Sequence, residues 1–171
     1  MNTIILSSSL SKNSKSFILC KHVEKELRKK GINTKLIDAR KISINPYHLE
    51  KTKDLNKLTE EIKKCDNIII AMGVHNYSIN DNLKIILDNC FQEAIGKFFG
   101  IICAAGGERS YLSTQHLTQI CMNEWRMIQL PRIIYATKNK FIEKDIITED
   151  IIARIKEFTE DFHQIGSKLL S

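Results

Sequence analysis

A serine-rich segment near the start of the chain combines residue types that could bind an anion. It covers residues 8–16, SSLSKNSKS, and its candidate ligands are the hydroxyl groups of Ser9, Ser11, Ser14 and Ser16. An apolar run precedes it and a helical pattern follows, and the free amides and dipole at a helix amino terminus favour an anion such as phosphate. A polar loop that ends in a helix-capping serine has the same composition. The segment is neither GxGxxG nor a P-loop motif, which argues against a dinucleotide-binding Rossmann domain and against an NTPase.

A second polar segment follows the continuous apolar run Ile68–Met72. It offers a glycine for close backbone approach, amide and hydroxyl groups for hydrogen bonds, and an aromatic ring for stacking. Its members are Gly73, Val74, His75, Asn76, Tyr77 and Ser78. This combination suits a flat ligand with a polar edge.

A third segment, Ala105–Glu108, contains two adjacent glycines at the end of another apolar run. Gly106 and Gly107 would leave room beside a bound ring, because they carry no side chain. Glu108 and the following Arg109 could contact a ligand, but solvated turn charges are the commoner role for such residues.

The three segments each follow a predicted buried strand, and strands alternate with helical patterns along the chain. Apolar runs predict five strands, at Thr3–Leu6, Ile32–Asp38, Ile68–Met72, Phe98–Ala105 and within Met127–Ala136. Pro131 lacks a backbone donor, which predicts that the fifth strand lies at an edge. Right-handed crossovers then predict an α/β three-layer sandwich, with helices on both faces of a five-stranded parallel sheet.

In a doubly wound sheet of strand order 2-1-3-4-5, the loops after strands 1, 3 and 4 converge at one edge. The serine-rich segment would supply a phosphate cradle, and the other two segments would border a slot for a planar ring. Together they predict the outline of a flavin mononucleotide (FMN) site.

Length and composition predict one globular domain over residues 1–171. The hydrophobic fraction is 43% and the charged fraction 27%, both ordinary for a globular protein. No apolar run is long enough to cross a bilayer, and residues 1–6 lack the pattern of a signal peptide. We therefore expect a cytoplasmic protein without a membrane partner.

Cysteine, histidine and charge patterns predict neither a metal site nor a nucleic-acid partner. The 5 cysteines are widely spaced in apolar surroundings, which favours reduced core residues, and the 5 histidines show no ligand spacing. The net charge is +6, but no tight lysine and arginine stripe alternates with aromatic residues. A solvated lysine-rich surface is the preferred interpretation of the charge, and attraction of anionic ligands is the other one.

The chain resembles the NAD(P)H-dependent FMN reductase family, which has a flavodoxin-like fold. Residues 8–16 lie over the family's first-loop motif, roughly G-S-x-R-x-x-S-x-N, and residues 73–84 match its second, roughly P-x-Y-N-x-S-I-P-x-x-L-K. The glycine pair of the third segment corresponds to the family's turn after strand four. The sequence departs from these motifs where the family's glycine, arginine and two prolines are replaced by Ser8, Ser11, Gly73 and Asn80, and where its tyrosine is replaced by His75.

The resemblance implies an FMN-dependent oxidoreductase that moves a hydride from NADPH or NADH to a quinone, an azo compound, a free flavin or a ferric chelate. The four serines would hold the FMN phosphate, residues 73–78 would border the isoalloxazine ring, and the glycine pair would flank its far edge. The flavin performs the redox chemistry, so no catalytic side chain is expected. Related enzymes are commonly homodimers or homotetramers.

Three other functions use the same topology. A flavin-binding or electron-carrier protein without its own turnover is the main alternative, although carrier flavodoxins are usually acidic and this chain is basic. A scaffold that has lost its flavin is a second alternative, motivated by the missing arginine and prolines. A response-regulator receiver domain needs an aspartate at the end of the third strand, where Met72 and Gly73 stand instead.

Overall fold

The computed structural model describes residues 1–143 and 145–171, in which helices and strands alternate. The helices are α1 (Lys15–Lys29), α2 (Lys53–Lys64), α3 (Asp81–Cys90), α4 (Ser113–Trp125) and α5 (Glu149–Lys168). The strands are β1 (Asn2–Ser7), β2 (Asn33–Asp38), β3 (Asn67–His75), β4 (Ser78–Ile79), β5 (Phe98–Ala105), β6 (Ile128–Gln129), β7 (Ile134–Thr137), β8 (Phe141–Glu143) and β9 (Ile146–Ile147).

The main sheet confirms the predicted flavodoxin-like topology. Strands β2, β1, β3 and β5 are parallel neighbours in that order, and β6 and β7 both pair with β5 in parallel. If β5 is counted as the fourth predicted strand, and β6 and β7 as two parts of the fifth, this is the predicted order 2-1-3-4-5.

The sheet has seven strands rather than the predicted five, for two local reasons. The fifth strand is interrupted between Gln129 and Ile134, where Pro131 has no N–H to donate to a ladder. The third strand continues beyond Met72 and folds back into the short antiparallel strand β4. A separate hairpin of β8 and β9 lies outside the main sheet.

Both faces of the sheet are covered, which explains why strand β3 is apolar without alternation. Ile68, Ile70 and Met72 belong to the core cluster that packs against α2, α3 and α4. Ile69 and Ala71 belong to the cluster that packs against α1 and α5. All five side chains are fully buried, as expected for the central strand of a doubly covered parallel sheet.

The five cysteines are free and buried, as predicted. Across residues 1–143 and 145–171, no helix combines the length and apolarity needed to span a bilayer.

Candidate functional site

Parallel pairing brings the carboxyl ends of β1, β3, β5 and β7 to one edge of the sheet. Ser7 pairs with Ala71, Gly73 with Ala104, and Ala105 with Thr137. The serine-rich loop, the Gly73–Ser78 segment and the Gly106–Gly107 turn therefore begin at neighbouring positions, as predicted from the strand order.

The serine-rich loop ends in a capped helix. Ser14 is the N-cap of α1, and its Oγ accepts a hydrogen bond of 3.2 Å from the Phe17 amide. The Oγ atoms of Ser14 and Ser16 lie 3.1 Å apart, and both residues are buried. Ser9 is half-buried and accepts a hydrogen bond from the amide of Ser11, which is exposed. Ser14 and Ser16 thus lie at the positive end of the helix dipole, whereas Ser9 and Ser11 lie in the loop before it.

A cation from outside the motif contacts this loop. Arg40, just after β2, donates to the Lys12 carbonyl at 3.3 Å, and its guanidinium carbon lies 4.2 Å from the centroid of the Phe17 ring. The guanidinium also pairs with the Asp38 carboxylate at 2.7 Å. Burial alone would raise the pKa of Asp38, but the hydrogen bonds and charge of Arg40 lower it below its ordinary value. Arg40 therefore supports the loop backbone while a carboxylate offsets its charge.

Two of the motif departures, Ser8 and Asn80, form a buried hydrogen-bonded clasp. The Ser8 hydroxyl lies 2.8 Å from both Asn80 Oδ1 and the Ala71 carbonyl, either of which can accept its proton. Asn80 Nδ2 donates in return to the Ser8 carbonyl at 3.1 Å. The clasp ties the loop after β1 to the segment after β3 through hydrogen bonds that both departures help to form.

The segment Gly73–Ser78 was predicted as a loop, but the structure shows a β-hairpin. Strand β3 continues to His75, which pairs with Ser78 across a two-residue turn. The turn residues Asn76 and Tyr77 have φ angles of 47° and 61°, as a type I′ turn requires. The sequence did not reveal this pairing, because β4 contains only two residues.

The side chains of the hairpin have distinct surroundings. Tyr77 is 63% exposed at its tip. The Ser78 hydroxyl lies 3.0 Å from His116 Nδ1 on α4, and His75 Nδ1 lies 3.8 Å from the Asp81 carboxylate. Contact with α4 thus anchors one end of the hairpin and leaves the tyrosine free to meet a ligand.

A cavity of about 940 Å³ opens beside the hairpin, within the size range of small-molecule and cofactor sites. Its lining residues are Tyr77, Gly106, Gly107, Glu108, Arg109, Ser110, Thr137, Lys138 and Asn139. Three predicted residues, Tyr77, Gly106 and Gly107, therefore meet at one cavity. The other predicted residues are outside its lining; they are Ser9, Ser11, Ser14, Ser16, Gly73, Val74, His75, Asn76 and Ser78.

Sequence reasoning missed the part of the wall formed by Thr137, Lys138 and Asn139. Thr137 ends β7, the second part of the fifth strand, and Lys138 and Asn139 follow it at the same sheet edge. The predicted strand order could therefore have indicated them as candidates. The wall also adjoins the first loop, because Lys15 Nζ at the start of α1 donates to the Lys138 carbonyl at 3.4 Å. The helix start and the cavity are therefore neighbours.

The glycines of the site keep its surface open. A Cβ atom at Gly73, Gly106 or Gly107 would meet no heavy atom within 4 Å. Gly107 has an extended backbone, with φ −162°, so a left-handed conformation is not the reason for a glycine there. The open space, the aromatic ring at the hairpin tip and the nearby helix amino terminus fit the ring and phosphate of FMN.

Tyr135 holds the Gly107 turn in place. Its hydroxyl donates to the Gly107 carbonyl at 2.6 Å and lies 3.1 Å from Ser110 Oγ. Its ring forms an edge-to-face pair with Tyr111, with centroids 5.0 Å apart. Burial raises the pKa of Tyr135 above its ordinary value, so the phenol stays protonated and remains a donor at neutral pH.

The chemistry available here is binding and orientation rather than covalent catalysis. The cysteine next to the site on β5 is Cys103, and burial raises the pKa of its thiol to about 12, which removes the thiolate needed of a nucleophile. Among residues 1–143 and 145–171, no group of histidine, cysteine and carboxylate side chains could hold a metal ion.

Comparison with known proteins identifies relatives at the level of family and fold. The sequence model of the NADPH-dependent FMN reductase family matches residues 1–141. No curated protein sequence matches this chain.

Several solved structures share the fold at low sequence identity. The apo form of an NADH:FMN oxidoreductase, EMOB, superposes with a TM-score of 0.82 at 14% identity, over 96% of this chain and 89% of that one. The flavoenzyme NAD(P)H:(acceptor) oxidoreductase FerB from Paracoccus denitrificans gives 0.75 at 15% identity, over 95% and 97%. An archaeal flavodoxin gives 0.67 at 14% identity, over 98% and 99%.

Proposed function

Because the chain belongs to the NADPH-dependent FMN reductase family, we propose that it reduces a small electron acceptor with NADPH or NADH through FMN bound at the edge of the sheet. Family membership establishes a flavin-dependent NAD(P)H oxidoreductase. The finer proposal is that the acceptor is a quinone, an azo compound, a free flavin or a ferric chelate. The observation that carries it is the glycine-walled cavity beside the amino terminus of α1.

The phosphate end of the ligand is assigned to the serine-rich loop. The first amides of α1 have no partners within the helix, and the hydrogen-bonded pair of Ser14 and Ser16 hydroxyls leaves one proton to donate to a ligand while Ser14 Oγ accepts from Phe17. Ser9 and Ser11 lie in the same loop and are more exposed than Ser14 and Ser16. These donors would hold a dianionic phosphate without the arginine of the family motif.

The ring end is assigned to the hairpin and the glycine turn. Tyr77 and the backbone of residues 73–78 would border one side of the isoalloxazine, and Gly106 and Gly107 would border the other. Bound FMN supplies the hydride acceptor and donor chemistry. The protein's part is to orient the ring, exclude water from it, and leave one face open for the nicotinamide.

Three further parts of the proposal concern the protein as a whole. We take residues 1–171 as a single flavodoxin-like domain, a homodimer or homotetramer in solution, and cytoplasmic in location. Five free, buried cysteines suit a reducing compartment. Neither a nucleic acid nor a membrane is proposed as a partner.

Titration of the flavin-free protein with FMN and with riboflavin tests the function and the phosphate site together. We expect about one FMN per chain and much weaker riboflavin binding, since riboflavin lacks the phosphate. The variant Ser14→Ala should lose about 1.5–3 kcal/mol of FMN binding energy, or roughly ten- to a hundredfold in affinity, because a hydrogen bond to a charged group is lost. Riboflavin binding should not change.

A second helix cap supplies the control for this variant. Thr52 caps α2 in the same way, through a hydrogen bond of 3.1 Å from the Leu55 amide to its Oγ1. Thr52→Ala should destabilise the fold by about 1 kcal/mol, as Ser14→Ala also should, but leave FMN affinity unchanged. Equal affinities for FMN and riboflavin in the unaltered protein would remove the phosphate assignment.

A further inference from the structure

A second cavity adjoins the first one on the side of helix α5. It has a volume of about 410 Å³ and shares Glu108 and Thr137 with the first cavity. Its lining residues are Glu108, Tyr111, Tyr135, Thr137, Lys140, Asp150, Ile151 and Arg154. A ligand longer than a flavin ring could therefore lie in both cavities at once, passing over the turn that follows β5.

Aromatic rings form one wall of this second cavity. Tyr111 is 43% exposed, whereas Tyr135 is 9% exposed and is held by its hydrogen bond to Gly107. Their edge-to-face contact fixes the Tyr111 ring against a buried partner. An exposed ring supported in this way offers a flat surface on which a purine base can stack.

Cations without ion-pair partners surround the two cavities. Lys140 is neutralised by Asp150 at 2.7 Å, but Arg154 is exposed and has no carboxylate within 4.0 Å among the described residues. Arg109 and Lys138, which line the first cavity, are also exposed and have no carboxylate within 4.0 Å among the described residues. The two linings also contain one carboxylate without an ion pair among the described residues, Glu108. The excess of positive charge in the two linings favours an anionic ligand.

We infer that the second cavity binds the adenosine phosphate half of the nicotinamide donor, with the base against Tyr111 and a phosphate on Arg154. This inference rests on the proposed function, because it assumes that the nicotinamide lies beside Gly106 and Gly107. An arginine suits this role because its planar fork can donate two hydrogen bonds to one phosphate. NADPH and NADH both contain this adenosine phosphate half, and only NADPH carries a 2′-phosphate on it.

Calorimetric titration with adenosine nucleotides tests the site without any redox reaction. The unaltered protein should bind ADP and adenosine 2′,5′-bisphosphate, and Arg154→Ala should weaken the binding about ten- to a hundredfold through loss of charge-assisted hydrogen bonds. The control is Lys156→Ala, which removes an exposed cation of the same helix that lines neither cavity. Binding that is absent, or equally weakened by both variants, overturns the inference.

Anaerobic stopped-flow reduction of the FMN-loaded protein tests whether the two cavities hold one donor. With NADPH and NADH, Arg154→Ala should raise the half-saturating concentration about ten- to a hundredfold and leave the limiting rate unchanged. With reduced nicotinamide mononucleotide, which has no adenosine half, the variant and the unaltered protein should behave alike. An equal defect with the mononucleotide overturns the inference.

The two experiments separate this inference from the proposed function. A larger loss for NADPH than for NADH would support a contact between Arg154 and the 2′-phosphate, and equal losses would support a contact with the diphosphate. A protein that binds no FMN would contradict the proposed function, while the calorimetric result would still decide whether the second cavity binds an adenosine nucleotide.

Discussion

Gly107 lies in the candidate site although its backbone conformation does not require a glycine. Its conformation is extended and open to any residue, and a Cβ there would meet no heavy atom within 4 Å. The Tyr135 hydroxyl fixes its carbonyl. A side chain at this position would therefore point into the cavity without disturbing the fold, and it would compete with whatever stacks there.

The variant Gly107→Val should fold and bind FMN but be reduced slowly by NADPH and NADH. Hydride transfer needs reacting atoms about 3–3.5 Å apart, and a misplacement of about 1 Å can cost on the order of a hundredfold in rate. Anaerobic stopped-flow spectroscopy measures the flavin reduction rate, and the flavin absorption of the purified variant measures its FMN content. A normal reduction rate would place the donor elsewhere, and a folded but colourless variant would assign the glycine to flavin binding itself.

The β3–β4 hairpin holds Tyr77 in a left-handed backbone conformation, which glycine adopts more easily. Asn76 tolerates a positive φ, but a tyrosine at φ 61° is strained. Strain of this kind persists where the surrounding structure supports it and often lies at binding sites. The ring lines the larger cavity, so we attribute the retained strain to ligand contact.

The variant Tyr77→Gly should keep its stability within about 1 kcal/mol, because relief of the left-handed strain offsets the greater backbone entropy of glycine. Its FMN affinity should fall about two- to tenfold through loss of an aromatic contact of about 0.5–1.5 kcal/mol. Thermal unfolding and fluorescence titration provide the two measurements.

Arg126 provides a matched control for that variant. It also has a positive φ, 50°, but it ends α4 on the surface and lines neither cavity. Arg126→Gly should have a similar effect on stability and none on flavin affinity. If both variants bound FMN as tightly as the unaltered protein, Tyr77 would have no part in the site.

At the scale of the whole molecule, the distance between α5 and the sheet depends on a glycine inside strand β5. A Cβ at Gly100 would lie 2.6 Å from Phe158 Cζ and 3.3 Å from Phe162 Cδ2. Both phenylalanines are fully buried and stack on each other, so neither ring has free space to enter.

Gly100→Ala should therefore destabilise the protein by about 1–3 kcal/mol through overpacking, and lower its melting temperature by roughly 2–12 °C. Gly73→Ala is the control, because its added methyl would meet no heavy atom within 4 Å. Calorimetric unfolding of the two variants measures the difference. A Gly100→Ala protein as stable as the control would mean that helix α5 moves outward at little cost.

Hydrophobic patterning was enough to predict alternating strands and helices, whereas the strand order 2-1-3-4-5, and with it the sheet edge that holds the site, was taken from doubly wound sheets of the flavodoxin-like type. Continuous apolar runs require a sheet covered on both faces, and the helical patterns between them require parallel crossovers. The convergence of the Ser9–Ser16, Gly73–Ser78 and Gly106–Gly107 segments follows from that topology. The alternation of strands and helices depends on side-chain periodicity, which is a property of the chain itself.

The contacts that give the site its shape could not be predicted from the sequence. The hairpin turn at Asn76 and Tyr77, the Ser8–Asn80 clasp and the bond from Tyr135 to Gly107 each join residues from separate segments or depend on a two-residue strand. The cavity wall at Thr137–Asn139 exists because β7 ends beside β5. Periodicity cannot predict such contacts, because they depend on where strands end and on hydrogen bonds between side chains that are distant in sequence.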